Sequence, residues 1–244
     1  MKKLLIIAVS LTLLLTAAGA ALAETSASAS ASYMSRYVWR GITLSESYAV
    51  QPSVDFVKDN LNINMWSSYD GETNEAVETD LTVNYTVPVE ALSLDIGWIY
   101  YALDGFDDTQ EVYVSVAKDF GPVSPSLTAY YDTEVGTGWY IVAAVGYGMD
   151  INDKTSLSLG ASASYQMDNN VTGGVDSDGE EYSALHNGEL SAALSFAATD
   201  DITIEPMIAY TTPLSDEAKD AIKSISFDEE DSIAYGGITV SIGF

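Results

Sequence analysis

The chain alternates apolar with small or polar residues in segment after segment, and this period of two constrains its fold more than any other feature. Ile238-Thr239-Val240-Ser241-Ile242-Gly243-Phe244 is the plainest case. Period two belongs to a strand, whose successive side chains face opposite sides of a sheet. Twelve such segments can be marked, among them Ala29–Arg40, Val77–Val87, Thr155–Gln166, Ile202–Thr211 and Ser232–Phe244. Most run to about ten residues, the length a tilted strand needs to cross a bilayer. An even number of antiparallel strands closes a barrel with both ends of the chain on one side. The expected fold is therefore all-β, a transmembrane antiparallel up-and-down β-barrel of about 12 strands.

The connections sharpen this expectation. Short turns such as Lys58-Asp59-Asn60, Pro88-Val89-Glu90 and Thr199-Asp200-Asp201 alternate with longer stretches. The longer set includes Gly41–Tyr48, Tyr69–Ala76 and Ala102–Gln110, and ends with Met167–Gly188 and Thr212–Asp231, where Ala218–Ser226 could form a short helix. Short turns on one side and long loops on the other are the outer-membrane pattern. Aromatic residues sort with the loops. Tyr37, Trp39, Trp98, Tyr100, Trp139, Tyr165 and Tyr210 are expected in a girdle at the long-loop end, and Phe56, Tyr85, Tyr147, Phe196 and Phe244 at the short-turn end. Pro206 falls inside the eleventh segment, where a missing N–H predicts a bulge or a misplaced boundary.

Residues 1–23 read as a cleaved signal peptide. Lys2 and Lys3 precede an apolar run that ends in Ala21-Leu22-Ala23, so the mature barrel is expected to span residues 24–244. The chain is then exported, with the bacterial outer membrane as its expected location. Its expected partners are outer-membrane lipid and lipopolysaccharide, the outer-membrane assembly machinery, which the terminal aromatic strand would address, and small solutes. Cysteine is absent, which removes disulfides and thiolate chemistry. A net charge of −27 opposes nucleic-acid binding, which needs a basic footprint. Lys58, Lys118 and Lys154 all fall in short turns.

Assigning the apolar face to lipid turns the other face inward. Val77, Leu81, Val83, Tyr85 and Val87 then face out, and Glu78, Asp80, Thr82, Asn84 and Thr86 face in. Applied throughout, the expected pore-lining charges are Arg36, Arg40, Asp55, Glu78, Asp80, Asp95, Glu111, Asp132, Glu189 and Glu205. An interior with two cations and eight carboxylates either lines a passage that favours cations or zips shut around the arginines, because buried charges need partners. Inward Ser, Gly and Ala leave room and favour a passage. Much of the remaining acid lies in the longer loops, where it reads first as a solvated face. Asp176-Ser177-Asp178-Gly179-Glu180 resembles part of a calcium loop but lacks the further ligand spacing.

No catalytic machinery is expected. The single histidine, His186, has Ser183 and Ser191 near it in sequence, but not in the strand spacing of a nucleophile and its base. No metal cluster or phosphate-binding glycine loop is present, so no cofactor is expected.

The stretch Tyr33-Met34-Ser35-Arg36-Tyr37-Val38-Trp39-Arg40-Gly41-Ile42, followed by Ser45 and by Val50-Gln51-Pro52-Ser53-Val54-Asp55, resembles the opening of the TorF-type porins (Gcw_chp-type outer-membrane β-barrel proteins). Met65-Trp66-Ser67-Ser68 resembles that family's next strand. The resemblance covers residues 33–68 and is diffuse beyond. It implies a small outer-membrane barrel that acts as a channel, in which Gly41 lets the chain turn and Arg40 reaches into the lumen toward an acid such as Asp95 or Glu111. The functional expectation is a channel for passive diffusion of small polar solutes, weakly cation-favouring. The competing expectation is a non-conducting structural or adhesive barrel working through its acidic loops.

Overall fold

In the computed structural model, which describes residues 25–173 and 182–244, twelve antiparallel strands close into a barrel. The wall strands are β1 (Ser26–Met34), β4 (Ala49–Lys58), β5 (Leu61–Asp70), β6 (Glu75–Val87), β7 (Ser93–Leu103) and β8 (Thr109–Ala117). They continue as β9 (Val123–Asp132), β10 (Trp139–Asn152), β11 (Thr155–Met167), β12 (Ser183–Ala197), β13 (Ile202–Pro213) and β14 (Ile233–Gly243). Each pairs with its neighbour in sequence, and β14 returns to pair with β1. Phe244 and Ala27 exchange backbone hydrogen bonds of 3.0 and 3.2 Å beside the seam. Closure leaves no strand edge exposed.

The period-two faces decide what the wall buries. Ile208 is 68% exposed and Leu190 is 62% exposed, on the same outer face as Leu81, Ile96, Val114, Leu127, Val145 and Val240. An apolar belt running round the whole wall has no place in water and suits lipid. Among the described residues no helix is long and apolar enough to cross a membrane, so any crossing is made by strands.

Two prolines are accommodated without a shift of register. Pro206 was expected to mark a bulge or a boundary, but β13 runs straight through it, paired with Ile238 of β14. Only the ladder to β12 lapses, between Ala193/Met207 and Phe196/Ile204, where Pro206 has no N–H to give. Pro52 leaves the same gap toward β5, between Val50/Tyr69 and Ser53/Trp66.

The first predicted segment requires correction. The wall strand ends at Met34, not Arg40, and the chain then turns inward as a separate hairpin of β2 (Tyr37–Trp39) and β3 (Ile42–Ser45). Trp39 pairs with Ile42, leaving Arg40-Gly41 as a two-residue turn. Arg40 at φ 50° and Gly41 at φ 85° give the two positive angles that a tight hairpin turn of this length favours. Space at Gly41 is also tight, since a Cβ there would sit 3.0 Å from Asn187 Cβ. Tyr37 and Trp39 therefore do not belong to the outer girdle.

The last long connection folds over this hairpin. Helix α1 (Asp216–Ile225) starts at Ser215, whose side chain accepts from the Ala218 N–H, and carries Asp216 and Glu217 in its first turn and Lys223 in its last. Ala218, Ala221 and Ile222 bury against Ile42 and Tyr182, with Trp39 and Leu44 packed alongside. Backbone and side-chain bonds fasten the two pieces, from the Phe227 N–H to the Thr43 carbonyl at 2.9 Å and from the Thr43 N–H to Ser226 Oγ at 3.2 Å. The connection between β5 and β6 is shorter than expected. Both strands extend into it, leaving residues 71–74, no longer than a turn at the opposite end.

Candidate functional site: a polar lumen crossed by a hairpin

The hairpin lies across the lumen at the long-loop end, held at its tip by one charge. Arg40 donates from Nη1 and Nη2 to the two carboxylate oxygens of Glu111, at 2.7 and 2.6 Å. Its guanidinium carbon lies 4.4 Å from the Trp39 ring centre, 4.9 Å from Tyr130 and 4.1 Å from Tyr140. Tyr101 donates a further bond to Glu111 at 2.9 Å. The cation thus has a forked carboxylate and three ring faces, which offset the cost of removing it from water. At the other end of β2 the Tyr37 hydroxyl donates to Glu78 at 2.7 Å.

His186 and Asn187 complete the anchor. They are adjacent on β12, yet both are buried, because the register between β11 and β12 shifts between Ala163 and Tyr165. Such a bulge sets two residues against one and turns both inward. His186 Nε2 lies 3.0 Å from the Arg40 carbonyl and Nδ1 2.6 Å from the Tyr182 hydroxyl. Nε2 must donate to the carbonyl, so Nδ1 accepts from the tyrosine, and neither nitrogen is left to act as a base for a serine. Asn187 accepts from Tyr140 and Ser164, each at 2.7 Å, and donates to Thr211 at 3.1 Å.

The ten residues singled out from the sequence fall into several groups. Arg40, Glu111 and Glu78 hold the hairpin. Arg36 leaves β1 just before it and pairs with Asp228 of the last loop at 2.5 Å. Asp132 is fully buried and holds its own loop, accepting from Thr109 Oγ1 at 2.7 Å and from the Glu134 and Gly136 N–H groups. It ties down a turn and does not line a passage. Asp95 accepts from Asn84, Thr86 and Ser93. Glu189 accepts from Tyr235 at 2.8 Å. Asp55 and Glu205 lie deeper, in register with Asn64 and Thr239 on the inward face. Asp80 is the exception. One of its carboxyl oxygens is buried with no N–H or hydroxyl donor among the described residues, and the Glu78 carboxyl stands beside it. Of the two acids suggested for Arg40, the structure pairs it with Glu111 and not with Asp95.

Beneath the hairpin lies a cavity of about 460 Å³, lined by Gln51, Ser53, Asn64, Trp66, Asp80 and Thr82 among others. Lower in the lumen the Tyr113 ring covers Gly97, its register partner, and its hydroxyl donates to Asn84 at 2.7 Å. A Cβ at Gly97 would fall 2.4 Å from that ring, so any larger residue there would displace it. Among the described residues no group of three or more His, Asp or Glu is placed to hold a metal ion. The partial calcium loop Asp176–Glu180 and the signal peptide 1–23 lie outside the described residues.

What sequence reasoning missed was the hairpin and the inward pair His186-Asn187. The hairpin had a signal in Arg40-Gly41, two residues between short β-rich runs. The bulge had none.

No family model matches the chain, so the TorF-type resemblance is not confirmed. No curated protein matches it either. Solved structures do match the fold. A NanC porin superposes with a TM-score of 0.59 at 14% identity, covering 88% of this chain and 98% of that one. A KdgM porin gives 0.56 at 10% identity, covering 89% and 99%. A KdgM porin in complex with disordered oligogalacturonate gives 0.56 at 8% identity, covering 90% and 99%. At these identities the likeness is one of architecture, and it establishes that this chain has the closed barrel fold of porins.

Proposed function

We propose that the protein resides in the bacterial outer membrane and acts as a channel for passive diffusion of small polar solutes, with a weak preference for cations. The observation that carries this reading is the charge left over in the lumen. Both inward arginines are spent on ion pairs, with Asp228 and Glu111. Asp55, Glu78, Asp80, Asp95, Glu189 and Glu205 have no ion-pair partner among the described residues. Fixed carboxylates along a polar lumen raise the local cation concentration. The porin fold supports a channel. The oligogalacturonate of one KdgM structure does not carry over, since an acidic sugar would meet these carboxylates with no free arginine to receive it.

Planar-bilayer recording of the purified, folded protein tests this. Steps of current and a reversal potential shifted toward the cation in a salt gradient are expected. Absence of current at any voltage would sink the channel reading, and anion preference would refute the lumen-charge argument.

A second reading has one observation in its favour. The hairpin and α1 lie across the long-loop end, tied together by backbone bonds. If they seal it, the protein is a structural or adhesive barrel that works through its acidic outer loops. Persistent silence in bilayers, with binding of the folded protein to a cationic surface, is what that reading expects.

A further inference from the structure

The lumen contains two aromatic boxes, each with a carboxyl, and only in one does a cation of the chain pair with it. In the first, Arg40 sits between Glu111 and the rings of Trp39, Tyr130 and Tyr140. The second is the cavity beneath the hairpin. Tyr37 and Trp66 meet there with ring centres 5.5 Å apart, and Trp39 and Tyr101 at 6.3 Å. Asp80 lines the same space with a buried oxygen that no donor among the described residues reaches. Glu78, two residues along the same inward face, already accepts from Tyr37. Arg36 also borders the cavity, but its charge is matched by Asp228.

We propose that this cavity is a binding subsite for small organic ammonium ions. Ring faces attract a cation, most strongly where water is excluded. Asp80 and Glu78 crowd two carboxyls onto one inward face with no cation of the chain paired to either, and such a pair is relieved by a positive charge brought to it. A bare metal ion would want a cage of oxygen ligands, whereas much of the lining here is aromatic, from Tyr37, Trp39, Trp66 and Tyr101, which suits an alkylated ammonium. The Gln51 amide and the Asn64 side-chain carbonyl, whose NH2 is spent on Ser53 and Val54, offer hydrogen bonds to a polar tail. At about 460 Å³ the space lies within the range of small-molecule sites. Its role as a station for passing solutes rests on the channel reading; the binding does not.

The test uses the full folded protein in detergent, titrated with choline and followed by tryptophan fluorescence, since Trp39 and Trp66 both line the cavity. The control is 3,3-dimethyl-1-butanol, the uncharged analogue of choline. Choline is expected to bind about tenfold more tightly than the alcohol, and Asp80→Asn and Trp66→Leu are each expected to weaken it by about tenfold. Each variant's folding is checked by the heat-dependent gel shift of the barrel. Trp66→Leu alters the reporter, so its affinity is read by calorimetry. Equal choline affinity in wild type and Asp80→Asn overturns the inference. Bilayer recording separates this from the parent reading. A silent barrel that binds choline through Asp80 sinks the channel and keeps the subsite. A conducting barrel indifferent to choline does the reverse.

Discussion

The Arg40 box and the Asp80 cavity are built from the same materials and differ in one respect. Each sets aromatic rings beside a carboxyl inside a closed wall, but only in the first does a cation from the chain pair with that carboxyl. Around Arg40 the pieces are mutually satisfied. Glu111 takes both forks of the guanidinium and the Tyr101 hydroxyl, and the rings cover the rest. Around Asp80 one oxygen is left over. The difference teaches where the structure is fixed and where it is open to something outside. A satisfied buried ion pair specifies one arrangement, and here it fixes the hairpin tip across the lumen. An unsatisfied charge specifies nothing by itself and marks a place where a ligand can act.

The strongest way to break the comparison is Glu111→Ala. It strands the Arg40 guanidinium among three rings with no counter-charge, and breaking a buried pair from one side costs ~3–5 kcal/mol. The hairpin tip also carries strain, since Arg40 holds a left-handed angle that glycine would adopt more cheaply. The pair therefore offsets a backbone cost as well as a desolvation cost. Urea unfolding in lipid vesicles should show the loss, and single-channel currents should rise as the hairpin leaves the lumen. The double variant Arg40→Met with Glu111→Ala should recover much of the stability, because no buried charge is then unpaired. A Glu111→Ala protein as stable as wild type would mean that the hairpin is held by α1, His186 and the Tyr37–Glu78 bond without help from the ion pair.

Asp80→Asn is the counterpart, with a smaller effect and the opposite sign. Removing an acid crowded against the Glu78 carboxyl should leave stability unchanged or raise it by ~1 kcal/mol. The same unfolding measurement checks it. A loss of more than ~2 kcal/mol would show that Asp80 has a structural partner after all, and the two boxes would no longer differ.

The two regions also differ in how far the sequence disclosed them. The wall was legible because its period is two and lipid rewards strict alternation. Val77 to Val87 and Leu157 to Ala163 could be assigned to faces by counting. Asp80 was therefore found among the inward residues, although its lack of a partner was not. Arg40 was found too, for a reason that proved incomplete. Tyr37-Val38-Trp39 continues the alternation of β1, so counting carried the wall strand through it and put two aromatics in the girdle. The change at Ser35-Arg36 is a change of direction, and period two is blind to direction. His186 and Asn187 were hidden for a related reason, since a bulge resets parity without a sequence mark. Pro206 misled in the other direction. A lapse on one side of a strand is enough to seat it, and the register need not move.

A third carboxylate sharpens the comparison from outside, with the smallest effect. Asp108 lies in the loop between β7 and β8, fully open to solvent, and accepts from the Tyr100 hydroxyl at 2.5 Å and from the Leu103 N–H at 3.1 Å. The tyrosine bond first and the backbone bond second hold its carboxyl below the usual carboxylate range. Because the folded value is depressed, the contribution is complete above the unfolded value of roughly 3.9 and disappears as pH falls through the folded one. Asp108→Asn should therefore lower neutral-pH stability slightly and flatten the acid side of the curve of melting temperature against pH by the same small amount. Adding salt should change this little, since the bonds are short and local, whereas long-range loop repulsion would be screened. A neutral-pH loss as large as that of Glu111→Ala would mean that exposure does not set the scale. The ordering of the three carboxylates would then have to be sought in the loops rather than in burial.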